Sequence, residues 1–187
     1  MLRLALIPFA LVVAALVVLA VVPSRENAMP SGVVELQDVT VTLYPRTDPD
    51  AVWYFATPRA DYQPSTQEAT LHSVEDGRRT VEGETDFTLH SEQVTIDRSE
   101  NLRGAEMRAH LVEDDLDLLM EARGGRQVLI DQRNGRFEVP RAIVSGPDLG
   151  ESVFEDMRIS FDFTDFESGG PGTVGYAQFM VDVDGEN

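Results

Sequence analysis

The stretch Phe87-Thr-Leu-His-Ser-Glu-Gln-Val-Thr-Ile-Asp-Arg-Ser-Glu-Asn-Leu-Arg-Gly104 decides how the rest of the chain is read. Phe87 and Leu89, then Val94 and Ile96, are apolar at every second position, and the polar run Arg98 to Asn101 ends the pattern in turn chemistry. Successive side chains leave a strand on opposite sides, so a period of two means strands with one buried face. The alternation continues in both directions from this stretch. It runs through Val39, Val41 and Leu43; Trp53 and Phe55; Leu116, Leu118 and Met120; Val128 and Ile130; Phe137 and Val139; Met157, Ile159, Phe161 and Phe163; and Phe179, Val181 and Val183. Turn residues fall between these segments, at Pro45 to Asp50, Glu75-Asp76-Gly77, Arg123-Gly124-Gly125, Asn134-Gly135 and Pro147 to Gly150. Both residues of Asn134-Gly135 accept positive φ, which predicts a two-residue type I′ hairpin there. Over Asn101 to Ala122 a helical stripe through Leu111, Val112, Asp115 and Leu119 competes, and the alternating Leu116, Leu118 and Met120 favour strand.

A repeat underlies the alternation. Ala60-Asp61-Tyr62, Val94-Thr95-Ile96-Asp97 and Val128-Leu129-Ile130-Asp131 recur at a spacing of 34 residues. The aromatic-led strands Trp53-Tyr54-Phe55 and Phe87-Thr88-Leu89 precede the first two by seven positions; Glu121 and Arg123 occupy those places in the third unit. Units this short cannot bury an apolar face alone, so stacking must close the core.

The chain has 187 residues, with 15 basic side chains, all arginine, against 33 acidic ones, and no cysteine. From Glu26 onward 13 arginines face all 33 acids, which argues against a phosphate-backbone partner, and no nucleic-acid binding is expected. Without cysteine there is no disulfide, thiolate metal site, Cys nucleophile or acylated cysteine. Leu4 to Val22 holds nineteen residues without a charge. At ~1.5 Å rise per residue it spans the ~30 Å hydrocarbon core. It is longer than the apolar core of a secretory signal, which favours an uncleaved single-pass anchor. Cleavage after Ala20 is the alternative. The domain reading is an anchor or signal at 1–25, a linker at 26–33, a β-domain at 34–167 and a Gly-rich connection with a C-terminal strand at 168–187.

The Phe87 to Gly104 run, with the earlier Trp53-Tyr-Phe-Ala-Thr-Pro-Arg-Ala-Asp-Tyr62, resembles the repeats of the lipopolysaccharide-transport proteins of the LptC, LptA and OstA group. One N-terminal anchor followed by a β-body of this size is similar to the LptC branch. The resemblance covers about Val34 to Asp162. It implies an all-β fold, a β-jellyroll or β-taco of two facing antiparallel sheets after one transmembrane helix, held in the inner membrane with its body in the periplasm. It further implies lipopolysaccharide or another glycolipid as cargo, with acyl chains between the sheets. The implied protein partners are an inner-membrane transporter complex, docked through the N-terminal helix, and another β-jellyroll protein paired edge to edge at Val33 to Leu43 or Tyr176 to Val183. The groove candidates are Trp53, Phe55, Phe87, Leu89, Ile96, Leu118, Ile130, Phe137 and Val139, with Arg59, Arg78 and Arg79 at a rim that meets an anionic head. Alternation alone reads the same nine as the core of a filled sandwich, in an envelope assembly module that binds a protein by its sheet edge.

No catalytic constellation is found. His72, His90 and His110 stand far apart without a second ligand at strand or helix spacing. Glu113-Asp114-Asp115 with Asp117 reads as a solvated turn before it reads as a cation site, and Asp182 to Glu186 as a tail. Phe161-Asp-Phe-Thr-Asp-Phe-Glu167 reads as an edge strand with one wet face, or as a partner-binding strand. The expectation is a non-enzyme that needs neither metal nor cofactor.

Overall fold

The computed structural model describes residues 32–147, 150–162, 164–169 and 177–180. The anchor at 1–25, the linker up to residue 31, residues 170–176 and the tail from 181 lie outside the described residues. Among the described residues there is no helix. The elements are β1 (Val34–Leu43), β2 (Ala51–Gln63), β3 (Glu68–Val81), β4 (Glu84–Ile96), β5 (Leu102–Gly104), β6 (Glu106–Leu111), β7 (Leu116–Glu121), β8 (Val128–Asp131), β9 (Arg136–Gly146), β10 (Gly150–Ser160), β11 (Asp165–Ser168) and β12 (Ala177–Met180). The strand at Leu116 is as the alternation predicts.

All pairings are antiparallel and belong to one sheet rather than two. β1 to β4 form a meander, and β9 to β12 form a second one. Between them the sheet forks. β4 pairs with β6 through Phe87 to His90 and with β5 through Thr95 and Ile96. β9 pairs with β8 through Arg136 to Glu138 and with β7 through Arg141 to Ser145. The pairings β6 to β7 and β5 to β8 then close a barrel-like ring, β4-β6-β7-β9-β8-β5. Strands of 13 and 11 residues make this possible, since each is long enough to hold two shorter partners along one side. The order still runs from β1 at one end to β12 at the other, so the ring joins the two meanders and leaves these terminal strands outside it.

The repeat has a structural counterpart. In β2 the Thr57 hydroxyl donates to the main-chain oxygen of His72, fifteen residues on, and accepts from the N–H of Arg59 at 3.3 Å. In β4, 34 residues later, the Ser91 hydroxyl donates to the oxygen of Glu106 at 2.6 Å, again fifteen residues on, and accepts from the N–H of Gln93 at 3.3 Å. Pro58 follows Thr57 and has no N–H to give the ladder, which a strand tolerates only where pairing is already irregular. The β2–β3 register shifts between Tyr54 and Arg59. The next repeated device is an aspartate that caps a turn. Asp97 Oδ1 accepts from the N–H groups of Ser99 (2.7 Å) and Asn101 (3.1 Å), and Asp131 Oδ1 from those of Arg133 (3.0 Å) and Asn134 (3.2 Å).

That cap also corrects the Asn134-Gly135 expectation. The β8–β9 connection is four residues long, because Asp131 pairs with Arg136, and only Gly135 has positive φ (59°). The Asp131 carboxylate holds the N–H of Asn134 and so keeps that residue out of the left-handed region. The two-residue turn with both φ positive is Glu82-Gly83 (52° and 90°), joining β3 to β4. Glu75-Asp76-Gly77, expected to be a turn, lies inside β3 as an irregularity where the register shifts between Val74 and Gly77. A Cβ at Gly77 would come within 2.7 Å of the Leu89 main-chain oxygen, so glycine serves close strand approach there. The Phe161 to Glu167 run is not one strand either. β10 ends at Ser160, and Asp162 Oδ1 accepts from the Thr164 N–H (3.2 Å) and from both neighbouring hydroxyls, so the chain turns and sends Phe161 inward.

One face of the sheet makes the core. Trp53 stacks on Phe55 (5.5 Å between centroids) and meets Phe87 edge-on (5.1 Å); Phe87 in turn contacts Phe137 (5.2 Å) and Phe161 (5.9 Å). Rings from both meanders therefore meet at Phe87. Truncating this fully buried ring by Phe87→Ala is expected to cost about 3–5 kcal/mol. Urea unfolding of the full chain would show it as a lowered midpoint; a loss below about 1 kcal/mol would mean that the interior is not closed through this ring.

Candidate functional site

The nine groove candidates all lie on the inner face, and none is more than 8% exposed. They share one cluster with Leu71, Leu102, Met107 and Met157, among others. At about 25 cal/mol per Å² of apolar surface, this burial is the main source of cohesion.

The three rim candidates separate because neighbouring residues on a strand face opposite ways. Arg59 is on the outer face, where Nη2 donates to Asp61 Oδ2 at 2.8 Å. Arg78 is exposed, with its guanidinium 5.2 Å from the Tyr54 ring centroid. Arg79 is buried in the interior, paired in the sheet between Trp53 and Phe87. It forms ion pairs with Asp48 and Asp86, and its guanidinium lies 4.7 Å from the Phe161 centroid and 5.9 Å from that of Phe87. Two carboxylates and two ring faces offset the cost of removing this charge from water. Arg79 is thus an interior cation rather than a rim residue.

The inner face continues past the packed region at one end. Among the described residues β1 pairs only with β2 and is an edge strand, with no described strand on its other side. Val34 is 41% exposed and Leu36 42%; their cross-strand partners are Tyr62, at 37%, and the buried Ala60. Val39, Val41 and Leu43 farther along β1 pack on the core, so the strand passes from covered to uncovered apolar surface along its length. Singly exposed apolar residues are ordinary, whereas Val34, Leu36 and Tyr62 lie together across one strand pair.

Among the described residues the histidines stand apart from one another, two of them beside single carboxylates. His72 Nε2 lies 2.8 Å from Asp61 Oδ2, and His110 Nδ1 lies 3.0 Å from Asp117 Oδ1. His90 lines an outer hollow of about 670 Å³ together with Arg103 and Arg108. Those arginines are themselves paired, with Asp97 and Glu106, each at 3.0 Å. Glu113, Asp114 and Asp115 occupy the turn between Leu111 and Leu116. Among the described residues no group of three His, Cys, Asp or Glu side chains could hold a metal ion.

Comparison of the chain with family models and with curated proteins gives no match.

Two features of the site escaped sequence reading. Arg79 stands at even spacing from the buried Leu71, so period two turns it inward, but its charge reads as a surface residue. The contacts of Arg46 and Thr47 with distant turns, and of Asp48 with Arg79 in β3, do not follow from period two.

The Arg59, Asp61 and His72 triplet yields a pH prediction. Hydrogen bonding from Arg59, and then from His72, holds the Asp61 carboxyl below its ordinary range. A depressed carboxyl stabilises the fold above the unfolded-state value, and that contribution is lost as pH falls through the folded one. Carboxyl-carbon NMR should find Asp61 titrating lower than a free aspartate, and Arg59→Gln should move it up. An unchanged titration in that variant would remove Arg59 as the cause.

Proposed function

We propose that this chain is a non-catalytic envelope module that joins a second β-sheet protein along β1 and passes glycolipid acyl chains over their common apolar face. In this reading Leu4 to Val22 anchors it in the inner membrane beside a transporter complex, with the sheet in the periplasm as a β-taco of the LptC, LptA and OstA kind. The observation that carries it is the edge strand β1, where Val34, Leu36 and Tyr62 extend the inner face beyond the packed core. A strand added there would gain main-chain hydrogen bonds and cover these side chains together. Cargo would be held by apolar burial, which suits acyl chains, while the strongly acidic body disfavours nonspecific contact with anionic surfaces.

A second reading has its own support. The nine groove candidates are packed against one another, which favours a filled core and an assembly module whose only ligand is a protein at the same edge.

The two readings part on lipid content. The full chain expressed in a Gram-negative envelope and purified gently should carry stoichiometric glycolipid by mass spectrometry under the first reading. Val34→Asp with Leu36→Asp should lose that lipid and keep the circular dichroism of the parent, since both positions are already in contact with water. A lipid-free parent protein, with a strand partner photo-crosslinked at Thr40, would leave the assembly module standing and end the carrier reading.

A further inference from the structure

The connection from Tyr44 to Asp50 does more than link β1 to β2. Of its seven residues only Pro45 is buried. Its polar contacts reach four other parts of the fold, one of them the β3–β4 turn, where the Asp50 main-chain oxygen accepts from the Glu82 N–H at 3.0 Å. Arg46 Nε donates to Glu100 Oε1 at 2.7 Å in the β4–β5 turn, although the Arg46 side chain is 74% exposed. The Thr47 hydroxyl donates to the main-chain oxygen of Gln132 at 2.7 Å in the β8–β9 turn. Asp48 takes one end of the buried Arg79 guanidinium, while Asp86 of β4 takes the other.

What Arg79 and Gln132 contribute to this end of the core is polar and incompletely bonded. Arg79 Nε, the Nε2 and Oε1 of Gln132, and the Nε1 of the neighbouring Trp53 are buried without a hydrogen-bond partner. All three residues are at most 5% exposed. The closed arrangement therefore keeps unpaired polar atoms buried. Against opening stand the exposed Arg46–Glu100 pair, which holds weakly, and the Asp48–Arg79 pair, which is buried on its Arg79 side and yields only to another anion. Next to these atoms stand the rings of Phe87 and Phe161, against which the Arg79 guanidinium packs.

We propose that the Tyr44 to Asp50 connection is an autoinhibitory lid, with the Asp48 carboxylate occupying the place on Arg79 that the anionic head of an amphiphile takes when the lid opens. The exchange is balanced in charge: one carboxylate leaves Arg79 for water and another anionic oxygen group replaces it, so Arg79 is never left buried and unpaired. The Arg79 Nε–H and the indole N–H of its cross-strand neighbour Trp53 then have oxygen atoms to bond, and the aromatic cluster receives the first part of the chain. The ligand class rests on the lipid-handling reading proposed above; the lid does not.

The protein supplies its own reporter, since Trp53 is the only tryptophan and is fully buried. The full chain in phosphatidylcholine vesicles is titrated with 2-bromododecanoate, whose bromine next to the head quenches tryptophan on contact, and with 2-bromododecan-1-ol as the uncharged control. Acrylamide quenching of Trp53 is read in parallel. Asp48→Asn should increase acrylamide quenching and lower the half-quenching concentration of the carboxylate by about tenfold, because the competent state no longer has to be won from Asp48. The alcohol should gain far less. Thr47→Ala, which leaves every charge in place, should move both readings the same way by a smaller factor and so guards against an unfolded Asp48 variant; circular dichroism must match the parent in each. Unchanged acrylamide quenching in both folded variants would overturn the lid. Equal gains for carboxylate and alcohol, or an opened lid with no gain for the carboxylate, would overturn the assignment of Arg79 to an anionic head. Failure of the glycolipid to co-purify would count against the transport reading and leave these quenching results intact.

Discussion

Phe87 is where the two halves of the sheet are held together. A sheet with one apolar face must cover that face, and here the cover is the sheet itself. Trp53 from the first meander meets one side of the Phe87 ring, and Phe137 and Phe161 from the second meet it from elsewhere. Beside that contact β4 and β9 each exchange partners partway along, β4 between β6 and β5 and β9 between β8 and β7, which forms the ring of β4, β6, β7, β9, β8 and β5. The hydroxyls of Thr57 and Ser91 stand at irregular points in the long strands and keep main-chain oxygens bonded where the ladder is interrupted. Leaving such groups buried and unpaired would cost more than the irregularity gains.

Much of this could be read from residue types. Alternation located the inward side chains from Trp53 to Val139, and the 34-residue spacing placed Asp97 and Asp131 in equivalent positions, while their capping role and the Thr57 and Ser91 hydroxyl pair are visible only in the structure. Part of what escaped was set by backbone geometry that composition does not encode. Glu75-Asp76-Gly77 has the chemistry of a turn, yet it is a bulge, because the turn chemistry at Glu82-Gly83 captures the hairpin. Arg79 is eight residues from the buried Leu71, so a strict count does turn it inward despite the irregularities between them; what hid it was its charge, which reads as a surface side chain. The single continuous sheet was equally hidden, since a strand with two partners on one side has the same alternation as a strand with one.

The functional reading rests on a contrast between the two ends of the same apolar face. Over most of its extent the face is covered by its own sheet, and there it has the properties of a core. Along the first residues of the edge strand β1 it is uncovered, and there it has the properties of a contact surface. The Arg79 corner is a third environment, apolar in its walls and polar in its unpaired atoms, covered by a connection with little apolar hold. A filled, stable interior and an adaptable rim are compatible within one sheet, because the energy of closure is concentrated in the aromatic cluster and the polar tethers contribute little to it.

The central claim is that one sheet closes on itself through β4 and β9 and leaves β1 as an open edge. Residue-resolved hydrogen exchange on the full chain tests it most directly. The account predicts that paired amides of β4 and β9 exchange only through global unfolding, whereas amides of β1 that face away from β2 exchange orders of magnitude sooner. Exchange in β4 as rapid as on that open side of β1 would contradict closure, and protection of β1 equal to that of β4 would contradict the open edge.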